Sequence, residues 1–560
     1  ILYGDEKKSY GENFVSRGFQ SSVQHGLHFG VGDNQKIDSL KITWPDGENS
    51  VLTNLSTNKT YTLQPPEERD TILTRSGSVS EKWLKEIYPL FNFQHKENGY
   101  LDFNNERLLT QVYSNEGPAF AIKDINDDGR MDFFLGGAKN QSGSLFISSS
   151  NGYREESTPF ENEIGSEDTD AVFFDGDNDG DIDLYVCHGG RAFSPYSTAL
   201  NDTYYSNENG SFIKKEIQPA FPIAISSSVA KPSDYDNDGD LDLFVGERYK
   251  THIYGLPESG YLLENDGKGN FKTVESKTLA DIGMITDAAW SDLNDDGSQD
   301  LIIVGEWMDI RVFLNQKGTF TEATASFGLD NTSGLWNALE IADLDNDGDE
   351  DFIVGNHGLN TFFETEMRMY IADFDGNGFQ EQLICKHKDG KYYPIVEKDE
   401  LVAQIPSLKK KLLYYKDYAQ ADMHSIFSEE IIKNTPYFDL NILETTAFLN
   451  ENGKFIPMKL PSELQYAPIY AIAASDIDED GHIDLFFGGN QYFVKPQFGR
   501  YDASMGWAIF GPFLNHQKAE VMALGIKGQI RSLRWIDQGN EKILVAPIND
   551  EKTKFYVFKN

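Results

Sequence analysis

Short apolar runs alternate with polar clusters along most of this chain, and the clusters are built from Asp, Asn and Gly. Runs such as PAFAIK, AVFF, DAAWS, NALEIA and YAIAAS end at an aspartate. Eight residues after that aspartate a second set begins: DFFLGG, DLYVCHGG, DLFVGE, DLIIVGE, DFIVGN and DLFFGG. Both sets are brief and rich in β-branched and aromatic residues, so they read as buried strands rather than helices. Downstream of each lies a segment such as LFISSSNGY, YYSNENGSFIK, YLLENDGKGNFK, VFLNQKGTFTE or FLNENGKFIPM. An Asn/Gly turn between two alternating stretches predicts a hairpin. Each unit therefore holds four strands in about fifty residues, the pattern of a propeller blade. The fold class expected is all-β, a propeller of about seven blades.

The polar clusters repeat one nine-residue motif: Asp, x, Asp/Asn, x, Asp/Asn, Gly, x, x, Asp/Glu. Its seven copies begin at Asp124, Asp175, Asp234, Asp292, Asp343, Asp373 and Asp476. A hard divalent cation takes six to eight oxygens at roughly 2.3–2.6 Å. Positions 1, 3 and 5 of a tight turn offer side-chain oxygens, Gly at 6 permits the bend, position 7 offers its backbone carbonyl, and the acid at 9 closes the site. The expected ligand sets follow. They are Asp124, Asn126, Asp128, Arg130 and Asp132; Asp175, Asp177, Asp179, Asp181 and Asp183; Asp234, Asp236, Asp238, Asp240 and Asp242; Asp292, Asn294, Asp296, Ser298 and Asp300. The remaining three are Asp343, Asp345, Asp347, Asp349 and Asp351; Asp373, Asp375, Asn377, Phe379 and Glu381; and Asp476, Asp478, Asp480, His482 and Asp484. An EF-hand puts its closing acid at position 12 and continues as a helix; here position 9 runs into a strand. These residues predict six or seven Ca²⁺ sites. Asp and Asn also make plain turns, but so many crowded carboxylates would repel one another without a counter-ion.

The 560 residues carry 49 Lys+Arg against 90 Asp+Glu, a formal net charge of −41. A phosphate backbone would be repelled, so nucleic-acid binding is not expected. Hydrophobic residues make up 39% and aromatics 13%, too many core formers for a disordered polyelectrolyte. No run of about 18 apolar residues predicts a membrane span. The chain starts at Ile1, within a strand pattern and without an initiator Met, which predicts a fragment or a processed form. Cys187 and Cys385 sit in apolar strand patterns and read as two buried free thiols, with one bridge or a reactive thiol as the alternative.

On these motifs the units resemble the FG-GAP/VCBS repeats of calcium-binding β-propellers. Residues 529–560 look like a degenerate last blade without a metal loop, because Asp537, Gly539 and Glu541 lack the ligand pattern. The loop at Asp373 is too close to Asp343 for two ordinary blades and reads as lying inside or just after the fifth. The N-terminal stretch is different: Gly18, Phe19 and Ser21, then Leu27–Gly30, then alternating strands around a Pro45-Asp46-Gly47 turn. This resembles the ASPIC/UnbV module, with its first strand cut off. The resemblance implies a further propeller upstream, and with it the C-terminal part of a long bacterial VCBS–ASPIC protein. The expected domains are 1–64 for that module, 65–90 for a linker and 91–560 for the propeller. A helical insertion is expected at about 397–440, rich in Leu, Lys and Glu. Its Lys409, Lys410 and Lys411 read as a solvated face, or as a docking element for an acidic partner.

If the calcium loops lie on one face of the propeller, the segments after the second strands lie on the other. Those Gly-rich segments hold the candidate ligand residues Arg191, Arg248, Trp307, Asn356, His357, Asn490, Tyr492 and Arg500. Aromatic and amide side chains suit sugars, and arginines suit carboxylates. Blade closure is the alternative role for Trp307 and the Gly-Asn turns. No catalytic motif stands out, and the calcium loops absorb nearly all clustered acids. The leading reading is a secreted or cell-surface, calcium-stabilised binding or scaffold protein. The resemblance implies an outer-membrane setting, as an accessory of a glycan or nutrient uptake complex of the SusC/SusD kind. The alternatives are a calcium-dependent polysaccharide lyase or hydrolase, and a purely structural subunit of a surface assembly.

Overall fold

The computed structural model describes all residues except 5–6, 14–20, 23–25, 45–48, 65–82, 216–223, 275, 513–520, 540 and 560. Gly18, Phe19 and the Pro45–Gly47 turn fall outside the described residues, as does most of the expected linker. The chain divides into two compact units, residues 1–83 with Lys559, and 84–558 with Asn560.

The smaller unit is one antiparallel sheet in the order Lys7–Lys8, Leu2–Tyr3, Lys36–Thr43, Asn49–Ser56. Its two long strands pair from Lys36 opposite Ser56 to Thr43 opposite Asn49. Trp44 anchors the far end of this hairpin by donating from Nε1 to the Ser50 hydroxyl at 2.8 Å.

In the larger unit seven antiparallel sheets follow one another among the described residues, six of four strands and one, the fourth, with Gly334–Leu335 added as a fifth. Their first strands are Phe120–Lys123, Asp168–Phe174, Ser227–Ser233, Met284–Ser291, Ala338–Ala342, Ile469–Ser475 and Arg534–Gln538. Successive sheets pack face to face through apolar clusters. One joins the first two through Phe134, Phe160 and Tyr205, and others follow around the ring. Phe486 meets Trp535 edge-on between the sixth and seventh sheets, and Phe91, Phe133, Val545 and Phe555 pack the seventh against the first. The ring therefore closes. The structure is a β-propeller.

The closing strand differs from expectation. Leu84–Glu86, within the segment read as linker, is the fourth strand of the last sheet, where Leu84, Lys85 and Glu86 pair with Phe558, Val557 and Tyr556. Three strands from residues 534–558 and one from residues 84–86 complete that blade, a contact too remote in sequence for local patterning to reveal. The first two strands of this blade pair out to Gln538 opposite Glu541, leaving no room for a nine-residue loop.

The insertion is longer than expected. It separates the second strand of the fifth sheet, Asp351–Gly355, from the third, Thr446–Asn450. It holds three strands of its own sheet, then the helices Lys398–Gln404, Tyr415–Tyr418, Met423–Ile426 and Glu429–Asn434, then the sheet's fourth strand, Tyr437–Asp439. Asp422 and Ser428 cap the last two by accepting from Ser425 N and Ile431 N. The Asp373 loop joins Arg368–Ala372 to Glu381–Lys388 in that extra sheet. It is thus inside the fifth blade but not on the ring. Lys409, Lys410 and Lys411 are exposed, and Lys411 donates from Nζ to Ile426 O at 2.8 Å.

Candidate metal loops and ligand face

Each of the six ring loops joins the first strand of a blade to the second, and all seven copies share one backbone course. Position 4 takes a positive φ in each: Asp127 54°, Asn178 58°, Asn237 63°, Asp295 57°, Asn346 61°, Gly376 75° and Glu479 63°. The glycine at position 6 does the same, from 79° at Gly129 to 101° at Gly239. Asn, Asp and Gly tolerate this region best, which explains position 4 of most copies. The turn aims its amides at the first aspartate. Gly129 N donates to Asp124 Oδ2 at 2.8 Å and Asp128 N to Asn126 Oδ1 at 3.0 Å; Gly297, Gly348 and Gly481 repeat the first bond on Asp292, Asp343 and Asp476.

The acid at position 9 is buried and ties loop to blade. One oxygen of Asp132, Asp183, Asp300, Asp351, Glu381 and Asp484 accepts the N–H of loop position 2, as Ile125 N to Asp132 Oδ2 at 2.9 Å. In all ring loops the other oxygen accepts an N–H from the third strand or just past it, from Ser148, Asn207, Asn265, Asn315, Asn450 and Gly511. Burial raises these carboxyls, Asp183, Asp300, Asp351 and Asp484 to about 6 and Asp242 and Glu381 to about 7. Motif spacing alone gave no sign of the four asparagines. They look like ordinary hairpin residues, yet Asn315 also accepts from Gly318 N and donates to Tyr235 O and Gln299 O. It stitches hairpin, loop and neighbouring blade together.

Five loops gather three carboxylates whose oxygens lie within 4.8 Å of one another. The trios are Asp175, Asp177 and Asp183; Asp234, Asp236 and Asp242; Asp343, Asp345 and Asp347; Asp373, Asp375 and Glu381; and Asp476, Asp478 and Asp484. The other two loops have Asn126 and Asn294 at position 3, which bring an amide oxygen in place of a charge. Buried oxygens without a hydrogen bond remain at Asp175, Asp177, Asp240, Asp242, Asp375 and Glu381. An all-oxygen donor set with orphaned, buried carboxylate atoms fits a hard cation such as Ca²⁺.

The candidate ligand face fares differently, because most of its residues point inward. Arg191 is fully buried, paired with Asp102 at 3.6 Å and with Glu106, its guanidinium 4.8 Å from the Tyr249 ring. Arg248 is held between Glu116 and Glu306. Trp307 donates to Tyr254 Oη at 3.2 Å inside an aromatic core. Asn356 accepts from Leu335 N and His357 N and donates to Ile442 O; Asn490 donates to Ser504 O and Gly528 O. His357 sits between the rings of Phe363 and Tyr501, and burial pushes it down to about 3. These six are buried and hold neighbouring segments together. The reason lies in the fold: Gly-rich turns next to the axis bury whatever polar group follows them. Arg500, exposed and stacked 3.6 Å over the half-buried Tyr492, remains open to solvent. Cys187 and Cys385 are buried and free.

A sequence model described as "ASPIC and UnbV" matches residues 1–70, and one described as "FG-GAP-like repeat" matches 124–186, 234–303 and 292–354. Every FG-GAP match opens on the first aspartate of a loop. The chain is an FG-GAP-repeat protein with an ASPIC/UnbV module. No curated protein matches its sequence. Three solved structures are similar to this FG-GAP-repeat protein at TM-scores below one half. BBS1N, crystallised with ARL6DN, is 9% identical over 81% of this chain and 97% of its own, with TM-score 0.38. Sqt1 of Saccharomyces cerevisiae is 11% identical over 80% and 100%, at 0.40. The Dos1 propeller is 10% identical over 82% and 97%, at 0.36. No described helix of the FG-GAP-repeat protein is long and apolar enough to cross a membrane.

Proposed function

We propose that this FG-GAP-repeat protein is a calcium-stabilised binding scaffold that works outside the cell or at its surface. The observation that carries the reading is the shared loop course with its converging carboxylates. In the calcium-bound state Asp, Asn and backbone oxygens of each loop would ligate the ion, which offsets repulsion among acids that the fold brings together. Loops of this kind in extracellular modules bind at roughly 10⁻⁴–10⁻³ M. Such weak sites fill only where calcium is millimolar, which supports an extracellular placement. We further propose that its partners are surface proteins of an outer-membrane glycan or nutrient uptake complex, as the repeat-and-module architecture suggests.

Calcium titration of the chelated full chain, read by thermal unfolding, tests the first step. Several ions bound per chain and a rising melting temperature are expected; an unchanged melting curve overturns the calcium reading. Affinity purification from native membranes in calcium, followed by mass spectrometry, tests the second. Recovery without a membrane transporter overturns the accessory role and leaves the calcium scaffold standing.

A further inference from the structure

The axis of the propeller holds a polar cavity of about 190 Å³, lined from all seven blades. Its wall comes from the opening residues of the first strands, the ends farther from the calcium loops. The segment before the first blade crosses that end. Tyr249 Oη donates to Tyr113 O at 2.7 Å in the third blade, Val112 N donates to Phe493 O at 2.8 Å beside the sixth, and Asn549 Nδ2 reaches Gly117 O at 2.6 Å in the seventh. Glu116 and Arg248 are the more buried charges of the cavity, next to this strap. Lys231, Asp287, Glu340 and Arg534 are more exposed and lie further along the strands.

Charge pairing inside the cavity is uneven. Lys231 Nζ is 2.9 Å from Asp287, Arg248 pairs with Glu116 and Glu306, and Arg534 lies 4.0 Å from Glu340. Arg531 has no carboxylate within 4.0 Å among the described residues. Its NH1 donates to Asn490 O at 3.1 Å, its contacts with Gln491 and Gln529 are long at 3.5 Å, and its Nε has no partner. The guanidinium is stacked 4.3 Å from the Tyr470 ring, which fixes its plane. In a chain with 90 acids for 49 bases, Arg531 stands on the cavity wall with no carboxylate in direct contact, Glu116 and Glu97 acting on it only from longer range, which leaves its fork open to an outside anion. The same cavity wall carries Ser228, Thr286, Ser532 and Asn337; the Ser228 and Thr286 hydroxyls donate to Ile285 O and Trp336 O and keep lone pairs to accept with, and the Asn337 Nδ2 is unpartnered.

We infer that the axial cavity binds a small hydroxylated carboxylate, its carboxylate on Arg531 and its hydroxyls among the Ser, Thr and Asn side chains. At about 190 Å³ the cavity has room for a hydroxy acid or a single sugar acid. This site is independent of the calcium loops and goes beyond the scaffold role.

Isothermal titration of the calcium-loaded full chain tests it, with sodium D-glucuronate, sodium L-lactate and neutral D-glucose as probes up to about 10 mM, a concentration that reveals millimolar affinities. Binding of glucuronate, of lactate or of both, with none of glucose, is the result expected; which of the two binds separates a sugar acid from a simple hydroxy acid. Arg531→Gln should weaken that binding at least tenfold with the calcium-dependent melting curve unchanged. If that variant does not fold, Arg531→Lys, which keeps the charge and loses the fork, should show the same loss. No heat with either carboxylate, equal heat with glucose, or undiminished binding by a folded Arg531 variant overturns the site. Loss of calcium stabilisation would show in the melting curve alone, so the two readings fail separately.

Discussion

His357 shows how far a single buried group can mislead a reading of exposed chemistry. As a histidine beside glycine and asparagine it looked like a ligand group; the fold places it between Phe363 and Tyr501 with Nε2 unpartnered. Burial lowers its folded pKa to about 3 from an ordinary 6.5. The unfolded chain therefore takes up the proton first. Above pH 6.5 the residue contributes no pH dependence, and from there down to about 3 it makes the fold progressively less stable. His357→Gln should remove a slope of about 1.4 kcal/mol per pH unit in that window. Urea unfolding in calcium at several pH values checks this by comparing the two curves. Curves that stay parallel below pH 6 would show that the ring is charged in the folded protein. A second residue-scale expectation concerns Asn315, whose amide spans loop, hairpin and neighbouring blade. Asn315→Ala strands two buried carbonyls, Tyr235 O and Gln299 O, and should cost about 2–4 kcal/mol; a loss under half a kcal/mol, read by the same unfolding measurement, would mean water replaces the amide.

At the scale of elements, the sequence shows what is local and hides what is remote. Strand–loop–strand units are legible because the strands are short, the loops carry a fixed motif, and the hairpins announce themselves through Asn and Gly. The inward turn of Arg191, Trp307, Asn356 and Asn490 is not legible. Their partners, Asp102, Tyr254, Ile442 and Gly528, lie in the strap, in a neighbouring blade, at the end of the insertion and ahead of the last blade, and only the folded ring brings them together. The same holds for Leu84–Glu86, which reads as the tail of a linker and serves as the edge of the last blade. Its pairing with Lys554–Phe558 joins the two ends of the propeller, and such a strand cannot lose a backbone donor cheaply. Lys85→Pro removes one N–H opposite Val557 and should destabilise by about 3 kcal/mol. Lys85→Ala, which keeps the N–H, should be near neutral. Thermal unfolding of both variants decides it: equal behaviour would mean the strand contributes nothing to closure.

For the whole molecule, charge is the governing quantity. A net −41 is spread over the chain, yet seven clusters concentrate it, six at the turns between the first two strands of blades and one in the insertion's sheet. The turn of each loop is held by its own backbone hydrogen bonds, so the loop course is set without an ion, and a bound ion would take up the carboxylate oxygens left without a partner and relieve repulsion among the acids. Filling seven sites with divalent cations would cancel roughly a third of the excess charge. Removing the ions should therefore destabilise the ring as a whole rather than unwind single loops, because every ninth acid is also bonded into its blade's third strand or its neighbourhood in the six ring loops. In millimolar calcium and at the affinities given above each site contributes about 0.4–1.4 kcal/mol. Several sites together would lower the melting temperature on chelation by several degrees at the usual few degrees per kcal/mol. Raising monovalent salt should recover part of that loss by screening the exposed acids. Scanning calorimetry with chelator at low and high salt separates the two contributions. A full recovery by sodium alone would mean the loops need ionic strength and not a coordinated ion. A loss that salt leaves mostly in place identifies coordination by the seven loops as the source of the ring's stability.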